Sequence, residues 1–148
     1  MSITSTLVPL RWSDMDAYGH VNNVQYLRLL EESRITAFAQ WFGGRGEHSM
    51  LAGGVIVARQ EIDYLLPLVH RTAPVLVELR VSHVGGSSFE VGYELRDPED
   101  VGDRLYARAE STLAAFDLET ERPRRLPAEA REILLGLLTD PVPMRRRR

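Results

Sequence analysis

Arg11-Trp-Ser-Asp-Met-Asp16-Ala-Tyr-Gly-His20-Val-Asn-Asn23-Val-Gln-Tyr26 is the stretch on which the fold of this chain turns. It crowds together Asp, Gly and Asn, residues that favour tight turns, and then passes directly into a helical pattern. From Asn23 to about Phe42, Leu27, Leu30, Ala37, Phe38 and Trp41 recur at spacings of three and four, which predicts one buried helical face. At about 1.5 Å per residue such a helix is roughly 30 Å long. Asn22 is placed to cap it, because its side-chain oxygen can accept an N–H of the first turn. Gly43-Gly44 ends it.

A turn that feeds a helix start has chemical consequences. The first N–H groups of a helix lack intrahelical partners and sit at the positive end of the dipole. A carbonyl oxygen set against them is stabilised as it becomes an oxyanion. Asp16, seven residues before Asn23, supplies a carboxylate able to act as base or nucleophile. Asp14 is the rival carboxylate, and its place before the turn suits a cap or a salt bridge. Glu31 follows Asn23 by about two helical turns, and a hydrogen bond holding the Asp turn is the role its position suggests. His20 is placed either to touch a substrate or to hydrogen-bond within the turn. Tyr18 and Trp12 flank the turn, as lining for a pocket or as ordinary packing.

Upstream, residues 3–11 read as a first strand. Downstream come four more strand-like segments: Val55 to about Leu66; a run in which Val75, Val77, Leu79 and Val81 alternate with more polar neighbours; Phe89 to Arg96, which alternates strictly; and Leu105 to about Phe116. Pro67, Gly85-Gly86 and Asp97-Pro-Glu-Asp-Val-Gly102 separate them. Residues from Pro127 to about Leu138 predict a short second helix. One long helix followed by antiparallel strands is an α+β pattern, and a sheet curled around the helix would bury its apolar face.

Composition narrows the classes. At 148 residues, with 44% hydrophobic and 26% charged residues, the chain fits one soluble domain, and such a domain buries about two-thirds of its unfolded surface. A net charge of −3 gives no global reason to expect nucleic-acid binding. No run approaches the roughly 18 apolar residues of a membrane span. Met1-Ser-Ile-Thr-Ser lacks the basic and apolar regions of a signal peptide, so a cytoplasmic protein is expected. With no cysteine, disulfides, thiolate metal sites and a Cys nucleophile are excluded. All 18 residues counted as Lys or Arg are arginine, which removes Lys Schiff-base chemistry and the phosphate-cradling Gly-Lys-Ser/Thr motif.

Other motifs are missing or incomplete. Gly85-Gly-Ser-Ser-Phe89 lacks the last glycine of a serine-hydrolase elbow. His20, His48, His70 and His83 are scattered, with no ligand spacing, so no metal and no cofactor are expected. Residues 1–140 read as one domain and 141–148 as an Arg-rich disordered tail. Arg122, Arg124 and Arg125 form a second basic cluster, placed either to meet the phosphates of a nucleotide-bearing substrate or simply to be solvated.

The Asp14-x-Asp16 turn, Gly19 and the Asn23-x-x-Tyr26-Leu27 helix opening resemble the active-site segment of hotdog-fold thioesterases of the 4-hydroxybenzoyl-CoA thioesterase-like family. Trp12-Ser-Asp-x-Asp16 with His20-Val-Asn-Asn-Val24 is also similar to the plant acyl-ACP thioesterases, which carry Asn at the position of Tyr18 and have two hotdog halves. Glu31 and Arg34 fall where the family's helix has Glu-x-x-Arg. Asp63-Tyr-Leu-Leu-Pro-Leu68 resembles its strand-ending Pro segment, and Gly86-Ser-Ser-Phe89 opens a later strand as in many members. His70-Arg71-Thr72 departs from the Gly-Asp that relatives often carry.

The resemblance implies a single hotdog domain, a homodimer or homotetramer with sheets paired edge to edge, and hydrolysis of acyl-CoA to free acid and coenzyme A. It implies Asp16 and Asn23 as catalytic, with Tyr18, Gly19, His20 and Glu31 on the substrate side. An acyl-ACP thioesterase and a non-hydrolytic acyl-CoA-binding hotdog protein are the alternatives. A hotdog dehydratase would want a His paired with an acid, and the sequence offers no such pairing.

Overall fold

The computed structural model describes residues 2–43 and 54–146. His48 and Gly44 of the motifs above lie outside the described residues. Strand β1 (Thr4–Val8) leads through a 3-10 turn (Trp12–Asp14) to helix α1 (Asn23–Phe42); β2 (Val55–Tyr64), β3 (Val75–Val84), β4 (Ser88–Arg96) and β5 (Leu105–Asp117) follow, and a two-residue β6 (Arg122–Pro123) precedes α2 (Ala128–Leu137). The α+β architecture expected from the sequence is present. Among the strands and α-helices of the described residues, only β6 has no counterpart in the sequence pattern.

The strands pair antiparallel in the order β1-β3-β4-β5-β2, with β6 beside β5. Period-two alternation in β3 turns Val75, Val77, Leu79 and Val81 inwards, and the register sets them beside Phe89, Val91, Tyr93 and Leu95 of β4. Helix α1 lies against this inner face, where Phe38 meets Phe89 with ring centroids 5.7 Å apart. Its face is broader than the apolar pattern implied. Leu30 and Ala37 are buried as expected, Leu27, Phe38 and Trp41 are partly buried against the core, and Tyr26, Leu29, Ser33 and Arg34 are buried as well. The two polar members are satisfied: Ser33 Oγ donates to Leu30 O at 2.7 Å and Arg34 Nη1 to Tyr93 Oη at 3.0 Å. Gly43 closes the helix at φ 68°, donating to Ala39 O.

Two features sit at the margins of the sheet. Strand β2 pairs with β5 on one side only and is largely solvent-exposed, so its other edge is open among the described residues. The C-terminal stretch corrects an expectation. Residues 141–146 are not a free tail but cross the outer face of the sheet. Thr139 N donates to Val81 O on β3, Val142 and Met144 are buried, and Arg145 N donates to Asp63 Oδ2 on β2 at 2.7 Å. The reason is local: Gly92 of β4 has no side chain, and Val142 sits in the space a Cβ would need. Arg147 and Arg148 lie outside the described residues. Among the described residues no helix is long and apolar enough to cross a membrane.

Candidate active site

The site is built where the 3-10 turn hands over to α1. Asp14 is fully buried there and acts as the knot. It accepts from Arg11 N at 2.8 Å, Arg11 Nε at 3.0 Å and Arg28 Nη2 at 2.7 Å, while its own carbonyl receives Asn22 N at 2.8 Å. Burial works against its charge, but the hydrogen bonds from Arg11 and the positive charges of Arg28 and Arg11 outweigh it and hold the carboxyl below the ordinary range. Asp14 is therefore a structural anion with no capacity to spare for chemistry.

Asp16 is in a different situation. It is half-buried, and the chain from 16 to 20 closes on itself: Asp16 N donates to His20 O at 2.7 Å and Gly19 N to Asp16 O at 3.2 Å. Its Oδ1 accepts from Tyr18 N at 2.8 Å and His20 N at 3.3 Å. Oδ2 takes no hydrogen bond among the described residues, so half of this carboxylate is held and half is open. Gly19, at φ 78°, makes the return possible; an L side chain there is strained although nothing stands within 4 Å of a Cβ.

The turn is fastened to the segment after β2. Met15 bridges Val21, His20 bridges Val69, and Val21 N donates to Leu68 O at 2.7 Å. Asn22 then caps α1, its Oδ1 accepting from Val24 N at 3.1 Å. The cap consumes the second N–H of the helix and leaves the first, that of Asn23, without a partner among the described residues. An uncommitted N–H at the positive end of a 20-residue helix is a ready donor to a developing negative charge.

The structure thus brings Asp16, Tyr18, Gly19, His20 and Asn23 together in one turn and helix start. Tyr18 and Trp12 project from it, 86% and 76% exposed, an unusual state for large aromatic rings. Glu31 does not join them. Its side chain is 62% exposed and pairs with Arg34 at 3.7 Å, so the expected hydrogen bond from Glu31 to the Asp turn is absent and Arg28 does that work instead. The basic cluster is also partly used up in structure, with Arg124 Nη2 donating to Gly54 O at 3.2 Å and Nε to Phe116 O at 3.4 Å. Among the described residues no group of three His, Asp or Glu side chains is arranged to hold a metal ion.

Residues missed in the sequence belong to the frame. Arg28 lies 14 positions from Asp14. Tyr64 Oη donates to Asn23 O at 3.0 Å across 41 positions, and Tyr26 Oη accepts from Leu68 N at 3.2 Å. Arg71, where the family motif is broken, forms a network with Asp97 and Tyr106; Tyr106 Oη donates to Asp97 at 2.6 Å. Only Tyr26 carried a local signal, through its place in Asn-x-x-Tyr.

Residues 10–134 match the family model of the thioesterase-like superfamily. The chain belongs to that superfamily. Among solved structures, the thioesterase-like chain is similar to a thioesterase from Thermus thermophilus complexed with coenzyme A and Zn, at 30% identity and TM-score 0.72, over 90% of this chain and 92% of that one. It is similar to the PA2801 protein of Pseudomonas aeruginosa at 32% identity and TM-score 0.72, over 86% and 95% of the two chains. A 1,4-dihydroxy-2-naphthoyl-CoA thioesterase from Synechocystis shares the fold, with TM-score 0.73 at 21% identity over 92% and 96%. No curated protein sequence matches this one. The hotdog arrangement of sheet and central helix is that of the thioesterase neighbours.

Proposed function

We propose that the protein hydrolyses acyl-CoA thioesters, with Asp16 as the reacting carboxylate and the Asn23 N–H as donor to the substrate carbonyl oxygen. The observation that carries this reading is the pairing of two uncommitted groups in one closed turn and helix start: Asp16 Oδ2 and the Asn23 N–H. A binding protein has no need of an open carboxylate in the turn that leads into an oxyanion donor. Membership of the thioesterase-like superfamily supports thioester hydrolysis in general, and the coenzyme A complex of the Thermus relative supports a CoA substrate.

A thioester has a good leaving group, so forming the tetrahedral intermediate is the demanding step. In one route Asp16 takes a proton from water as the water oxygen attacks the carbonyl carbon. The carbonyl oxygen gathers negative charge against the Asn23 N–H. Collapse breaks the carbon–sulfur bond, and the departing thiolate recovers the proton. In the other route the Asp16 carboxylate attacks directly, expels the thiolate, and leaves a mixed anhydride that water cleaves. Both consume one water and release one acid and one thiol. A single turnover in isotopically labelled water separates them, because label enters Asp16 only in the second.

On this reading Tyr18, Gly19 and His20 lie along the substrate, and the exposed rings of Tyr18 and Trp12 are covered by acyl chain or by a second protomer. The open edge of β2 supports a homodimer formed there by antiparallel pairing, since an exposed edge strand is a template for a further strand. The deciding experiment is thiol release from short, medium, long and aromatic acyl-CoAs and from acyl-ACP, with the wild type beside Asp16→Asn. The amide keeps an oxygen for the Tyr18 and His20 N–H groups and removes only the charge. Turnover that falls by about two orders of magnitude or more supports the assignment. Activity that survives removes Asp16 from the reaction, and tight acyl-CoA binding without turnover makes the protein a sequestering one.

A further inference from the structure

We infer that Tyr64 is a positioning residue that holds the oxyanion-donating start of α1 in register with the sheet. This rests on the reading of the Asn23 N–H as that donor. The N–H and C=O of Asn23 flank a single Cα, so whatever pins the carbonyl limits the swing of the N–H. Inside α1 that carbonyl serves the helix ladder, and Tyr64 Oη gives it a second hydrogen bond at 3.0 Å from the last residue of β2. First turns of helices open more easily than their interiors, and here the Asn22 cap secures Val24 N but not the residue before it.

The hydroxyl is itself held. The Tyr64 ring stands edge-on to Tyr26, centroids 5.0 Å apart at 72°. Tyr26 Oη in turn donates to Leu66 O at 3.4 Å and accepts from Leu68 N at 3.2 Å, and Leu68 O receives Val21 N from the Asp turn. Two tyrosines therefore link the helix start and the catalytic turn to the same short stretch, 64–69. A tyrosine hydroxyl is protonated at neutral pH in any case, and burial pushes that of Tyr64 further up. No charge or packing requirement demands a hydroxyl at this point: the residue is 41% exposed, and a phenylalanine would fill the same space.

Tyr64→Phe isolates the hydroxyl. On an acyl-CoA that the wild type turns over, kcat falls about tenfold, because small misplacements of a transition-state donor are costly, while KM stays within about twofold because ground-state binding is untouched. Thermal midpoint stays within about 2 °C, as expected for an exposed-side change. Thr4→Val is the control. It removes the hydrogen bond from Trp41 Nε1 at the far end of the same helix, 2.8 Å in the wild type, and leaves kcat unchanged.

Unaltered kcat in Tyr64→Phe overturns the inference while leaving the proposed hydrolysis intact. So does a fall matched by Thr4→Val, or one that tracks a lowered midpoint. A wild type that turns over no thioester sinks the hydrolytic reading, and this inference with it.

Discussion

Arg28 Nη2 stands 2.7 Å from Asp14 Oδ2, joining the second turn of α1 to the fully buried carboxylate of the preceding 3-10 turn. Arg28 also donates to Gln25 and Glu32 on its own helix, so its guanidinium is fixed from several sides. Asp14 is thereby the hinge pin between a turn that carries the candidate carboxylate and a helix that carries the candidate oxyanion donor.

Removing one partner of a buried ion pair leaves the other charge uncompensated. Arg28→Met should therefore destabilise the protein by about 2–3 kcal/mol, less than for an isolated pair because Arg11 still contacts Asp14. Urea unfolding measures this. Activity should fall more than stability alone explains, since the turn loses its anchor to the helix. An Arg28→Met variant with wild-type turnover would mean that Arg11 suffices to hold the site.

Acid sensitivity follows from the same carboxylate and from Asp97. Burial opposes charge on Asp97 as well, yet hydrogen bonds from Tyr106 and Arg71 and the Arg71 charge hold its carboxyl below the ordinary range. Both groups bind a proton more readily in the unfolded chain than in the folded one. Their contribution is present above the unfolded value of about 3.9 and is lost as the pH falls through the lower folded values. The thermal midpoint should be flat in this respect at neutral pH and drop below about pH 4. Asp97→Asn should lower the neutral-pH midpoint and flatten the acid limb.

What the sequence revealed depended on the distance over which each signal acts. The Asn22 cap, the extent of α1 and the alternation of β3 and β4 are set by neighbours within a few positions, and they are legible. Asp14 was separable from Asp16 because a position before the turn suits a salt bridge. Its partner on the helix was not visible, since Arg28 sits 14 residues on with no pattern to single it out. Helical phase explains Glu31: eight residues at about 100° each leave it about 80° round from Asn23, with its carboxylate in solvent above the buried Arg34. Tyr64 and Asn23 meet only because β2 returns to the helix start.

Gly19 gives a test of the turn independent of charge. At φ 78° with open space where a Cβ would stand, Gly19→Ala carries a conformational cost and no clash. The expected loss is about 1–2 kcal/mol if the turn keeps its shape. If the turn relaxes instead, Asp16 Oδ1 loses the Tyr18 and His20 N–H groups and turnover drops sharply while stability changes little. Paired measurements of unfolding and kcat/KM distinguish the two, and an alanine variant unchanged in both would show that the left-handed residue is dispensable.

The C-terminal stretch yields the last prediction. A disordered tail can be deleted with changes within about 0.5 kcal/mol, but residues 141–146 bury Val142 and Met144 and run from Gly92 of β4 to the edge strand β2. Ending the chain at Asp140 should cost about 3 kcal/mol, at roughly 1.5 kcal/mol or more for each buried side chain. Gly92 supplies the internal check. A Cβ there would stand 3.1 Å from Val142 Cγ1 and 3.2 Å from its Cγ2, so Gly92→Ala should destabilise the full-length chain. In the truncated chain Val142 is gone, and the same substitution should be neutral or mildly stabilising, because alanine suits a strand better than glycine. The coupling in this double-mutant cycle reports the seating of the strap on β4 directly. Additive effects would mean that residues 141–146 do not pack on Gly92 in solution.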